Sequence, residues 1–96
     1  MTHAVVWRET ALQQLARVWM DSDDRRGVNR EVDDIDRTLS TDPDQKGDDY
    51  FGDRYILLPQ MWALFRIEAE QKQVVVLQVG RNGVDRPHDD APEDEA

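Results

Sequence analysis

The sequence predicts an α+β domain in which a two-helix hairpin covers one face of a small, antiparallel-rich sheet, in the order β-α-α-β-β-β. Three stretches carry that reading. Residues 54–81, RYILLPQMWALFRIEAEQKQVVVLQVGR, hold the densest apolar run of the chain and alternate at strand spacing. Val28, Val32, Ile35 and Leu39 recur at i, i+4, i+7 and i+11, one face of a helix. Residues 3–8, HAVVWR, are rich in types that favour strands.

Taken in order, the first strand puts Val5 and Trp7 on one side and Ala4 and Val6 on the other. Thr10 then offers a capping oxygen to a helix over 11–22. Leu12, Leu15, Ala16 and Trp19 form its apolar stripe; Arg8, Glu9, Gln13, Gln14 and Arg17 fit the wet side. Ser22, Asp23 and Asp24 break that helix and offer caps to a second one over 24–41, with Gly27 in its first turn. Asp42-Pro43 ends it, because a residue before proline disfavours the α region. Residues 42–53 read as a polar loop with Tyr50 and Phe51 as anchors onto the core.

The remaining strands turn at Pro59-Gln60 and at Glu70-Gln71-Lys72. Parity sends Met61, Ala63, Phe65, Ile67 and Ala69 toward the helices and Trp62, Leu64, Arg66 and Glu68 to the other face. In the last strand Val75, Leu77 and Val79 oppose Val74, Val76 and Gln78, so both faces are partly apolar. The domain is expected to span 1–81. Residues 82–96, NGVDRPHDDAPEDEA, carry six acids, one base, two prolines and no aromatic residue, the composition of a disordered acidic tail.

Composition narrows the function classes. The 96 residues suffice for one modest core. The absence of cysteine excludes disulfides and thiolate metal sites. The opening MTHAVVWRET lacks the pattern of a signal peptide, and no apolar run approaches the roughly 18 residues of a membrane span, so a cytoplasmic protein with no membrane partner is expected. The formal net charge is −9, of which the tail carries −5 and residues 1–81 carry −4. Nucleic-acid binders rely on Lys and Arg to displace phosphate counterions, so this balance argues against generic nucleic-acid binding. Glu31, Asp33, Asp34 and Asp36 read as a solvated helix face: there is no EF-hand spacing and no histidine beside them, and neither metal nor cofactor is expected.

Two sets of residues stand out. Arg54, Arg66 and Arg81 are the arginines set among apolar residues of the sheet, and a planar guanidinium suits phosphate. The alternative is three surface arginines paired with acids such as Asp53 or Glu68. Trp62, with Leu64, Val74 and Val76 beside it, forms a candidate docking surface for a protein partner, tryptophan being enriched at binding hot spots. Here the alternative is burial beneath the 42–53 loop.

Over residues 4–81 these elements resemble the RelE/ParE toxin family of type II toxin–antitoxin systems, a plasmid-stabilisation type of module. The resemblance rests on the VVW strand, the helix with Ala11-Leu12 and Leu15, and the second helix ending in Leu39 and Asp42-Pro43. It also rests on the Gly52-Asp53-Arg54 lead-in and the pair ALFRIEAEQKQVVVLQVGR. It implies a cognate antitoxin protein as partner. It further implies one of two activities: ribosome-dependent cleavage of messenger RNA, or inhibition of DNA gyrase as in the ParE branch. Nucleases of the family present lysines and arginines that stabilise charge on the scissile phosphate. By that resemblance Arg54 matches a basic residue entering the sheet and Arg81 or Asn82 the basic position ending the last strand; with Arg66, mid-strand on the open face, Arg54 and Arg81 are the candidate catalytic residues. The pattern departs elsewhere: Trp62 stands at the hairpin arginine, Phe65 at a usual tyrosine, and His88 is the nearest substitute for a C-terminal tyrosine. The expectation is therefore a toxin-family domain that binds its antitoxin and has weak or lost nuclease activity.

Overall fold

The computed structural model describes residues 3–41, 43, 47–50 and 52–83. Among the described residues five strands and two helices form the domain: β1 (Ala4–Trp7), α1 (Glu9–Asp21), α2 (Arg25–Thr41), β2 (Asp48–Tyr50), β3 (Asp53–Leu57), β4 (Met61–Glu68) and β5 (Gln73–Arg81). The sheet order is β1-β5-β4-β3-β2. β1 lies parallel to β5, and every other pair is antiparallel. The 3-10 turn Ala69–Gln71 joins β4 to β5 and ends on Lys72 in the left-handed region at φ 52°. Among the described residues no helix is long and apolar enough to cross a membrane. The expectations for Phe51 and for the chain from residue 84 onward lie outside the described residues.

The expected architecture is present, with one strand added. Asp48–Tyr50, read from sequence as loop, pairs with β3 as an edge strand. Polar residues hide such a strand from a hydrophobic pattern, because an edge draws on backbone pairing more than on side-chain burial. Gly47 precedes it at φ +74°, and a Cβ there would meet Tyr55 O at 2.3 Å, so the approach of this segment to β3 requires glycine. Asn82, read as the start of the tail, folds back onto the domain: its backbone N–H donates to Gln60 O at 3.1 Å and its side-chain amide donates to Leu58 O.

The main core lies between the helices and the sheet. Val28, Ile35 and Leu39 of α2 and Ala11 and Val18 of α1 pack on Met61, Ala63, Phe65, Val74, Val76 and Val79. Val5, Trp7, Leu15, Ile56 and Ile67 close its margins. Val28, Ile35 and Leu39 of the α2 stripe are buried as the sequence indicates, whereas Val32 is half-buried and lies on the outer side between the helices. The β4 parity holds from Met61 to Ile67, and Ala69 is exposed in the 3-10 turn. The α1 stripe is rotated. Ala11, Leu15 and Val18 face the sheet, whereas Leu12, Ala16 and Trp19 lie on the exposed side with Met20. Both sets share the i, i+4, i+7 spacing, and the bulkier set drew the wrong assignment. Helix α1 also begins at Glu9, after Arg8, so Thr10 is inside the helix and caps nothing.

Side-chain hydrogen bonds join the layers. Gln14, expected in water, accepts a hydrogen bond from Val79 N–H at 2.9 Å. Trp7 Nε1 donates to Asp36 at 2.9 Å, tying β1 to α2. The start of α2 is set by Asp24, whose carboxylate accepts from Gly27 N–H at 2.9 Å, a capping bond to the third helical amide. Ser22 Oγ accepts from Asp24 N–H and donates to Gln60 Oε1 at 3.0 Å, linking the helix–helix turn to the β3–β4 turn. Glu31, assigned to the wet face by its charge, is 5% exposed. Both of its oxygens lie 3.1 Å from Gln60 N.

Candidate functional site

The helices occupy one face of the sheet, so the opposite face is where a site built on strands has to lie. Its centre is a second, smaller apolar cluster of Trp62, Leu64 and Leu77, with Tyr55 and Val75 at its edge. Trp62 and Leu64 sit together there, as parity indicates. Trp62 is 6% exposed and Leu64 3%, so both are buried and neither offers an open docking surface. Val74 and Val76 do not join them. They pair with Ile67 and Phe65, and both are completely buried in the helix-side core.

The register of β4 and β5 gives the reason. Phe65 pairs with Val76 but Leu64 pairs with Gln78, which leaves Leu77 as the extra residue of a bulge-like irregularity. Before the irregularity Val74 and Val76 face the helices. After it Val79 does, while Val75 and Leu77 reach the other face. An uninterrupted Val-Val-Val-Leu run carries no polar residue to mark that shift.

The same register separates the three arginines. Arg54 lies opposite Phe65 and so shares the helix-side face of the sheet. Arg66 lies opposite Val75, on the other face. Arg81 lies opposite Met61, four residues from Phe65 along β4 or roughly 13 Å at strand rise. Each is also engaged. An Arg54 Nη donates to Gly47 O at 3.1 Å. Arg66 forms a two-pronged pair with Asp53, Nε to Oδ1 at 2.8 Å and an Nη to Oδ2 at 3.3 Å. Arg81 lies 3.6 Å from the carboxylate of Asp21 on α1. A phosphate bound by converging guanidinium groups needs donors aimed at one point. These three side chains start on two faces, and carboxylates compete for two of them.

The acidic face of α2 is likewise dispersed. Glu31 turns inward to Gln60, Asp34 pairs with Arg37 at 2.9 Å, and Asp36 accepts from Trp7. Among the described residues no group of three His, Asp or Glu side chains is placed to hold a metal ion. His3 is half-buried at the start of β1, its backbone N–H bonded to Ser40 O at 2.7 Å.

Sequence reasoning overlooked the apolar groove between the outer sides of α1 and α2. Leu12, Leu15, Ala16, Trp19, Met20, Asn29 and Val32 line this groove of about 430 Å³. Leu12 is 50% exposed and Met20 66%. The signal was present as a second apolar phase on α1.

No protein-family model matches the chain, and no curated protein matches it significantly. Among solved structures it is similar to a chain of the RelBE2 toxin–antitoxin complex from Mycobacterium tuberculosis. The TM-score is 0.69, with 22% identity over 85% of this chain and 93% of that one. It is also similar to the chromosomal ParDE toxin–antitoxin system from P. aeruginosa, with TM-score 0.60 and 19% identity over 83% and 96% of the two chains. The intact E. coli RelBE toxin–antitoxin complex follows at TM-score 0.55 and 16% identity, over 88% and 99%. These likenesses establish the fold: the chain has the RelE/ParE-like fold.

Proposed function

We propose that this domain is the toxin-fold half of a toxin–antitoxin pair, that it works by binding a cognate antitoxin protein, and that its ribosome-dependent nuclease activity is weak or lost. The observation that carries the second part is the dispersal of Arg54, Arg66 and Arg81 over two faces, with Asp53 and Asp21 held against two of them. The first part is supported by the fold shared with chains of the RelBE2, ParDE and RelBE toxin–antitoxin structures.

The charge of −9 specifies the partner's character. A segment that lies along an acidic domain is favoured when it carries Lys and Arg, which speed encounter and select against acidic competitors. Its apolar residues provide the lasting contacts. The antitoxin is therefore expected to have a basic, amphipathic segment.

The test is co-expression with the small open reading frame next to this chain's gene. The two products are expected to co-purify, and the complex is expected to weaken as salt rises through the Debye-screening range. Failure of the neighbouring product to bind overturns the reading. If the chain alone blocks supercoiling by purified gyrase, its working partner is gyrase instead, as in the ParE branch.

A further inference from the structure

The face of the sheet opposite the helices is sealed, and the strands alone do not seal it. Leu64 is 3% exposed there, Leu77 4%, Trp62 6% and Gln78 8%. A side chain standing on a sheet is walled by its neighbours but open above, and an antiparallel sheet with helices on one face commonly leaves the other to water. Four adjacent side chains this buried need atoms above them. Both helices pack on the opposite side, and the apolar cluster here consists of strand residues alone. Tyr55, Trp62, Arg66 and Gln78, all on this face by register, are each engaged in a hydrogen bond, ion pair or ring contact. The cover therefore belongs to this chain, among its residues outside the described ones.

Position narrows the choice. Residues 1–2 precede His3 at the outer edge of the sheet, where Ala4 pairs with Gln73, and Gln73 lies opposite Glu68, six residues or about 20 Å along β4 from Trp62. Residues 42 and 44–46 flank Pro43, which is fully buried, and run to Gly47, whose nearest side chain is Ile56 of the helix-side core. Residue 51 is bracketed by Tyr50, opposite Asp53, and Gly52, at the Arg66 end of the sheet and two strands from Leu77. Residues 84–96 are different. Gly80 lies opposite Trp62, and Asn82 donates to Gln60 O, so the chain arrives at Gly83 beside the Trp62 end of the sealed face. Its 13 further residues reach about 40 Å in extended form, against about 27 Å for the eight residues of β4.

We infer that residues 84–96 lie across this face as a strap, from Trp62 toward Arg66. Val84, Pro87, Ala91 and Pro92 are its apolar residues. Proline favours the extended form that docks on aromatic-lined surfaces, and Trp62 and Tyr55 supply such a surface. Six acids against Arg86 give the strap a charge of −5, so a phosphate backbone meets carboxylates before it reaches Arg66. A partner that uses this face displaces the strap first. These contacts lie within one chain and do not depend on an antitoxin.

The chain has no cysteine, so Ala91→Cys in the full chain takes one nitroxide label. In amide-resolved NMR spectra the label is expected to strip intensity from the amides of Tyr55, Leu64 and Gln78 and from the Trp62 indole. Amides of Leu12 and Met20, on the outer side of α1, are expected to keep theirs, and reduction of the nitroxide restores the lost signals. Asp89→Cys, labelled likewise, is expected to give the same pattern and guards against one label dislodging the strap. Nitroxide-labelled protein of natural isotope content, mixed with nitrogen-15 protein that carries no nitroxide, is expected to cause no loss, which keeps the contact within one chain. Loss confined to residues beside Gly83 with both labels, loss on the helix side in place of the sheet face, or loss in the mixed sample overturns the inference.

Discussion

Phe65→Ala is expected to lower the unfolding free energy by about 3–5 kcal/mol, the range for truncating a fully buried aromatic residue. Phe65 is completely buried in the middle of β4, opposite Val76, in the cluster that joins the sheet to Ile35 and Leu39 of α2. Truncation removes both the transfer free energy of the ring and the dispersion contacts of its neighbours, which the strands and helix cannot fully recover by closing up. Domains of this size have net stabilities of roughly 5–15 kcal/mol, so the variant loses at least about a fifth of the total. Urea denaturation measures it, as a lower midpoint with an unchanged slope. Leu57→Ala is the control: Leu57 is exposed, and its loss is expected to stay within about 0.5 kcal/mol. Equal effects at the two positions would mean that the helix-side cluster is not the core.

Glu31→Ala is the second large effect, at about 2 kcal/mol, because it strips a buried charge-assisted bond and strands its donor. The Gln60 N–H points at both Glu31 oxygens, and Gln60 is also the acceptor for Ser22 Oγ and for Asn82 N–H. The β3–β4 turn is therefore clamped to α2, to the helix–helix turn and to the end of β5 through one residue. Glu31→Gln keeps an oxygen acceptor and is expected to cost about half as much, since the bond loses its charge. Hydrogen exchange at Gln60 gives the local readout: its amide is expected to lose protection in Glu31→Ala while amides of β4 and β5 keep theirs. A Glu31→Ala protein within about 0.5 kcal/mol of wild type would remove this carboxylate from the account.

Much of the architecture was legible because it follows from period. The α2 stripe of Val28, Ile35 and Leu39 and the β4 alternation of Met61, Ala63 and Phe65 each present one apolar phase against polar neighbours, and both are buried as read. The reading failed where two phases were both apolar. On α1, Ala11, Leu15 and Val18 compete with Leu12, Ala16 and Trp19, and the core took the smaller set because α1 packs closely on β5. On β5, four consecutive apolar residues concealed the irregularity at Leu77, which moved Val74 and Val76 out of the surface assigned to them.

The candidate site was less legible, and for a different reason. Residue type located Arg54, Arg66 and Arg81 in the sheet, but convergence depends on register, and register is set by strands that pair across long sequence separations. The bland alternative for Arg66, a pair with Asp53, is the arrangement found. Glu31 shows the converse limit. A charge suggests solvent, yet a carboxylate is buried at modest cost where a backbone N–H meets both of its oxygens.

The central claim is that this RelE/ParE-like fold acts by binding protein and not by cutting RNA. It is tested most directly by incubating the purified full chain with ribosomes stalled on a messenger RNA with an empty A site, then mapping the 5′ ends of the transcript. The account predicts an intact transcript, unchanged when Arg54, Arg66 or Arg81 is replaced by alanine. Cleavage at the A-site codon that disappears in Arg54→Ala or Arg81→Ala would contradict it.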